Sequence, residues 1–197
     1  YVPMGYLEDT VISDAAFAIY DAEPWLFSLL QSKMHMAWIR TVCGQLETRI
    51  RYSSTLGYNT YPIQPLTETE KGALNKSARR ILLARAAHPE KTLADMYDPD
   101  KMPADLREAH EENDHLVDNL YKKGGFTNDE DRLAALFEMA QIIPLLPREA
   151  MQWSPMPLAP ASLTPNIHVA SHKDDWRTGS SALLLIDRNE RMRAMSL

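Results

Sequence analysis

At Thr67 the sequence changes period, and that change dictates what the chain can fold into. Thr67-Glu68-Thr69-Glu70 has the form of a capping box, with Thr67 as N-cap and Glu70 placed to reach back to its amide. The pattern behind it predicts a helix to about His88. Further helices are expected around Thr92 to Tyr97, from Pro103 to about Lys123, and from a second capping box at Thr127 and Glu130 through Ile143. Because these signals agree locally, residues 67–143 read as a helical bundle able to fold independently.

Upstream of Thr67 the signals are different. Residues 1–23 carry the strand formers Val11, Ile12, Phe17, Ile19 and Tyr20 with turn residues Gly5, Asp9 and Asp21, which predicts two short strands. Pro24 can open a helix, and Trp25, Leu29, Met36 and Ile39 follow at helical spacing, widened by Leu26, Leu30 and Trp38, with Gly44 as a stop. From Leu46 to Tyr52 the alternation is period two, predicting one half-buried strand with Glu47, Arg49 and Arg51 on its outer face. Ser53 to Pro65 reads as an ordered irregular segment. The fold class is therefore α+β and predominantly helical: a small strand-plus-helix unit over residues 1–66, a helical unit over 67–143, and a tail over 144–197. Pro144 to Pro165 holds six of the thirteen prolines, which excludes a continuous helix there. Ala182 to Ile186 has the composition of a strand, and Arg188 to Arg193 is a charged run.

Composition removes several classes of function. The longest apolar stretch, Trp25 to Cys43, is interrupted by Gln31, Lys33, His35 and Arg40, too polar a set for a membrane span. Cys43 is the single cysteine, which excludes an intrachain disulfide and a cysteine-based zinc site and is consistent with a reducing cytoplasm. The N-terminus lacks both an initiator Met and a signal-peptide pattern, so a piece of a longer chain is expected. The six histidines are scattered: His110 and His115, five apart, do not share a helix face. Glu108, Glu111, Glu112 and Asp114 read as a solvated face rather than a metal site. No nucleophile elbow, phosphate-binding glycine loop or S-adenosylmethionine-type glycine motif is present. No catalytic, metal or cofactor residue is assigned to this chain.

The charged strand face carries the most chemistry. On one strand Glu47 and Arg49 would point the same way with side chains about 7 Å apart, a spacing suited to neighbouring base edges. Arginine reads guanine O6 and N7, and a glutamate accepts from the cytosine amine, so the two could read one C·G pair. Arg51, Arg40 and Lys33 are candidates for phosphate contacts. The competing interpretation is an ordinary surface ion pair between Glu47 and Arg49. A net charge of -6 requires that any nucleic-acid contact be local, and leaves open a helical protein-interaction module that mediates subunit or domain assembly.

Several blocks resemble the Type IIL, or MmeI-like, restriction-modification family. They are the run Asp14 to Asp21 followed by Pro24-Trp25, the run Leu30 to Trp38, the run Arg51 to Pro62, Ala87 to Ala94, and Tyr97 to Pro103. The resemblance extends from about Tyr1 to Ile143. It implies that residues 1–66 are the C-terminal portion of a DNA target-recognition domain and that residues 67–143 are a C-terminal helical domain. It also implies a parent in which an upstream adenine-N6 methyltransferase domain uses S-adenosylmethionine, with an endonuclease in many members. Double-stranded DNA and that upstream domain are the implied partners. A recognition domain cut at Tyr1 is expected to expose apolar edges and to self-associate. In this family paired recognition-domain residues vary base specificity, and one such pair aligns with Glu47 and Arg49. Tyr58-Asn59-Thr60-Tyr61 lacks both inner prolines of the methyltransferase Asn-Pro-Pro-Tyr loop and reads as a structural turn.

Overall fold

The computed structural model describes residues 1–7, 17–46, 49–142 and 182–185. Its elements are β1 (Met4–Leu7), β2 (Phe17–Tyr20), α1 (Pro24–Leu30), α2 (Lys33–Val42), β3 (Gly44–Leu46) and β4 (Arg49–Arg51). After a π-helical turn (Ser54–Tyr58) come α3 (Glu68–Ala86), α4 (Leu93–Met96), α5 (Ala104–Tyr121), α6 (Asp129–Ile142) and β5 (Ala182–Leu185). The predominantly helical α+β class is what the sequence predicts. Val11, Ile12, the proline-rich stretch and Arg188 to Arg193 lie outside the described residues.

Local chemistry sets the helix ends. The Thr67 capping box forms in full: the Thr67 hydroxyl accepts from the Glu70 amide at 3.3 Å, and Glu70 accepts from the Thr67 amide at 2.7 Å. The second box does not form as expected, because Asn128, one residue later, accepts from the Asp131 amide at 2.7 Å. Asparagine is the stronger N-cap, and the Thr127 hydroxyl donates instead to the Asp131 carboxylate. The single helix expected from Pro24 to Gly44 is two helices. Ser32 is extended, accepts from the His35 amide at 3.3 Å as cap of α2 and donates to the Leu29 carbonyl at 2.6 Å, breaking the helix at Gln31-Ser32.

Strand β5 lies between β1 and β2 and pairs antiparallel with both, Leu183 standing opposite Tyr6 on one side and Ile19 on the other. The strand read at Ala182 to Ile186 thus completes the N-terminal sheet.

Residues on either side of Thr67 share one core. Helix α1 follows α3 in the same direction: Ser28 donates to the Leu74 carbonyl at 3.0 Å, and Gln31 accepts from Arg85 at 2.8 Å. Helix α5 lies antiparallel to α3. Buried Asn113 of α5 accepts from Ser28 at 2.6 Å and from Ser77 at 2.7 Å, and donates to the Ser28 carbonyl at 2.9 Å. Helix α6 is held on α5 by a buried two-pronged pair, Arg132 to Asp118, at 3.0 and 2.6 Å. Leu29, Leu74, Ile81, Leu106, Val117 and Leu136 are fully buried in one continuous cluster. The expectation that residues 67–143 fold alone is therefore at odds with the structure, since the inner stripe of α3 is covered by α1.

A polar seam runs through this core. Arg85 donates to the Tyr97 hydroxyl at 2.7 Å, to Gln31 and to the Met4 carbonyl, and that hydroxyl also meets His110 Nε2 at 2.7 Å. Burial, reinforced by nearby Arg85, lowers the His110 pKa to about 3, and burial alone lowers that of His35 to about 3. Both imidazoles stay neutral in the folded protein while the unfolded chain protonates them near pH 6.5. Below that pH the unfolded state binds more protons, so stability is lost as pH falls from 6.5 towards 3. Each histidine contributes a slope of about 1.4 kcal/mol per pH unit. Asp114, whose pKa burial raises, acts in the opposite sense as a single group. Thermal melts should therefore lose midpoint steadily from pH 6.5 to 5, above the range where ordinary carboxylates titrate, and His110→Gln should flatten the decline. A midpoint constant over that interval would contradict neutral burial of these rings.

Candidate nucleic-acid interface

Strands β3 and β4 do not form the single strand that the alternation predicts. They pair antiparallel, Gly44 opposite Arg51, Gln45 opposite Ile50 and Leu46 opposite Arg49. The single strand expected from Leu46 to Tyr52 is thus two paired strands, and the segment that joins them lies outside the described residues. Glu47 lies outside the described residues, and of Arg49 the backbone alone is described, opening β4. A sequence alternation of this length suits one strand as well as two halves of a ribbon, and Glu47-Thr48 carries none of the glycine or asparagine that marks a tight hairpin.

The base of the ribbon is rigidly built. The Cys43 amide donates to the Ile39 carbonyl at 3.0 Å at the end of α2, so β3 leaves the helix directly. Ile50 packs on the core and Arg51 is exposed. Next to β4, the Tyr52 hydroxyl meets His35 Nε2 at 3.2 Å, and burial keeps that hydroxyl protonated. The His35 ring stands edge-on to Tyr61 at 4.7 Å. The π-helical turn closes against this base: Ser53 accepts from the Leu56 amide at 3.2 Å, and the Asn59 amide donates to the Ser54 carbonyl at 2.9 Å. Leu56 is left half exposed at its tip. The sequence signalled order here through Gly57 among aromatic residues, but not the helical type.

The remaining candidates separate. Arg40, near the C-terminal end of α2, is exposed and lies 3.4 Å from Asp129 in the first turn of α6, close to the ribbon base. Lys33 stands at the other end of α2, about 10 Å away along the helix axis. Its ammonium lies 3.4 Å from the buried Asp114 carboxylate, which also accepts from the Lys33 amide at 2.7 Å. The structure thus brings Arg40 and Arg51 to one end, with Lys33 engaged at the opposite end. Among the described residues no group of three or more His, Cys, Asp and Glu could hold a metal ion, and no helix is long and apolar enough to cross a membrane.

Gly57 is where the turn and α2 come closest. A Cβ there would lie 2.9 Å from Cys43 Sγ, 3.2 Å from Ile39 Cγ2 and 3.4 Å from Tyr52 Cε2. Gly57→Ala should destabilise the protein by about 1–3 kcal/mol through overpacking. Gly44→Ala, which meets nothing within 4 Å, should be near neutral. Chemical denaturation of both variants checks this, and equal stability would contradict the close seating of the turn.

Comparison with known proteins places these elements in a family. A family model described as the MmeI target recognition domain matches residues 1–65, and one described as the MmeI C-terminal domain matches residues 66–145. DNA methyltransferase A of Bacillus subtilis (strain 168) is 41% identical over 142 residues, 72% of this chain and 16% of that protein. The solved structure of the Type IIL restriction-modification enzyme MmeI in complex with DNA is similar with a TM-score of 0.59 and 45% identity, over 64% of this chain and 17% of the MmeI chain. This chain thus spans about one sixth of the length of either relative. The ribbon and its base fall within the first matched segment, α3 to α6 within the second, and the chain belongs to the MmeI-like family.

Proposed function

We propose that this chain is the target-reading portion of a restriction-modification adenine-N6 DNA methyltransferase, and that the β3–β4 ribbon enters the major groove. The observation that carries the reading is the ribbon itself, two short antiparallel strands anchored on the end of α2 within the segment matched by the target recognition domain. A two-stranded ribbon is one of the two elements that the major groove admits. Its similarity to MmeI, whose solved structure is a complex with DNA, supports the same reading.

In this account Glu47 and Arg49 read a C·G pair: the guanidinium donates to guanine O6 and N7, and the carboxylate accepts from the cytosine amine. Arg51 and Arg40 contact phosphate and set register without carrying sequence information. The helical segment braces the ribbon through α2 and α6. S-adenosylmethionine would supply the methyl group in a segment upstream of this one. The residues described here do not form a site for it: no glycine loop leads from a strand into a helix, and Gly5, Gly44 and Gly72 face open space rather than a close-fitting cradle. No step of methyl transfer is assigned to these residues.

Exchanging the two reading residues tests the proposal. In the full-length methyltransferase carrying this segment, Glu47→Lys with Arg49→Asp reverses the donor and acceptor pattern and should invert the preferred base pair. Either change alone should cost about 1–3 kcal/mol in discrimination, and Arg51→Ala should weaken binding without relaxing specificity. Methylation mapping of genomic DNA reads the outcome. An unchanged motif with activity retained in the double variant would remove both residues from the reading role.

A further inference from the structure

We propose that Lys122 and Lys123, in the turn between α5 and α6, grip the phosphate backbone of the same duplex that the ribbon enters, an inference that rests on the DNA-reading proposal above. The placement comes from a chain of contacts. The C-terminal end of α5 is tied to the segment leaving the π-helical turn: Tyr121 donates to the Pro62 carbonyl at 2.9 Å, and Gln64 donates to the Leu120 carbonyl. The N-terminal end of α6 is tied to the end of α2 by Arg40 and Asp129, 3.4 Å apart. The Arg40 and Asp129 contact lies at the end of α2 from which β3 leaves, and Phe126 lies between Lys122 and Arg132, which itself pairs with Asp129, so the turn that leads into α6 is tied to the ribbon's end of α2.

The turn is held in shape. Gly124 and Gly125 have φ of +94° and +73°, which side-chain-bearing residues rarely adopt. The Gly124 amide donates to Asn119 Oδ1 at 3.0 Å and the Gly125 amide to the Lys122 carbonyl at 2.9 Å. Both lysines are exposed. Lys122 lies 5.4 Å from the centre of the Phe126 ring, and neither lysine has a carboxylate within ion-pair distance among the described residues. Lys33, Lys71 and Lys101 each do.

Charge around the turn decides what the lysines can take. Asp129 is compensated by Arg40 and Arg132, and Asp131 accepts from Thr127. With Glu130 exposed beside them, these carboxylates repel phosphate from the first turn of α6 and leave Lys122 and Lys123 as its anchors. In a chain of net charge -6, such local unpaired cations beside the ribbon are what backbone contact requires. Arg51, exposed on β4, would contact the same duplex.

The test is a fluorescence-anisotropy titration of this chain with a duplex over a range of salt concentrations, comparing the wild type with Lys122→Gln/Lys123→Gln. Neutralising one phosphate contributes about 0.9 to the slope of log affinity against log salt. Losing both lysines should therefore make the slope shallower by about 1.8 and weaken binding equally on unrelated duplex sequences. A variant with the same charge change on α3, Lys76→Gln/Arg79→Gln, should keep the wild-type slope, and circular dichroism melts should match for all three proteins. Duplex binding by the wild type with an unchanged slope in the Lys122/Lys123 variant would overturn the inference and leave the ribbon reading intact. Equal loss in the α3 variant would also overturn it, by showing a bulk-charge effect. No duplex binding by the wild type at low salt would overturn both.

Discussion

Arg85 places a permanent positive charge in the interior with no carboxylate in ion-pair contact among the described residues, and the rest of the structure is arranged to tolerate that. A guanidinium cannot shed its proton to escape burial, so its donors must be met by neutral oxygens. They are met by Tyr97, Gln31 and the Met4 carbonyl, while the rings of Tyr97 and Phe27 lie 4.9 and 5.2 Å from the guanidinium carbon. Those partners come from β1, the α1–α2 junction and the segment after α4. One side chain on α3 thus fixes the first strand, the helix break and the C-terminal helices at once. Asn113 repeats the arrangement one layer away, joining α5 to α1 and α3. Loss of either residue leaves several buried polar groups without partners, each costing about 1–3 kcal/mol.

This seam bears on function through the ribbon. A reading element discriminates between base edges only if it is held to within about half an ångström by its support. Here β3 starts where α2 ends, and α2 is pinned by Ser32 and Asp114 at one end and by α6 at the other. The helical segment therefore braces the ribbon through α2 and α6. A protein partner docking on the bundle would find its inner face already filled by α1 and α2.

Much of this was legible in the sequence where one residue decides one local outcome. Thr67 and Glu70, Thr92 and Pro103 mark helix starts that the structure reproduces. The failures occur where tertiary context or a competing local bond decides. Ser32 is an ordinary polar residue in a helical stripe until its hydroxyl is seen bridging Leu29 and His35, and Asn128 displaces Thr127 as cap by one position. The Leu46 to Tyr52 alternation survives as a pattern but folds into a ribbon, because period two does not say where a chain reverses. The seam has no local signal for a different reason: Arg85 and Asn113 are polar residues within helices, Asp114 reads as part of a solvated acidic face, and all three are buried only by tertiary packing. The pair Glu47 and Arg49 is suggested by the charged strand face, but charge alternation alone equally suits a surface ion pair, and only resemblance to a family favours the reading role.

The Arg85 and Asn113 seam joins the two family segments into one cooperative unit. Native-state hydrogen exchange as a function of denaturant measures this directly, because amides that open only on global unfolding converge on one free energy. The amides of Leu29 and Ile39, from α1 and α2, should converge with those of Ile81 and Val117, from α3 and α5. Two separate values, with α1 and α2 opening while α3 and α5 stay protected, would contradict it.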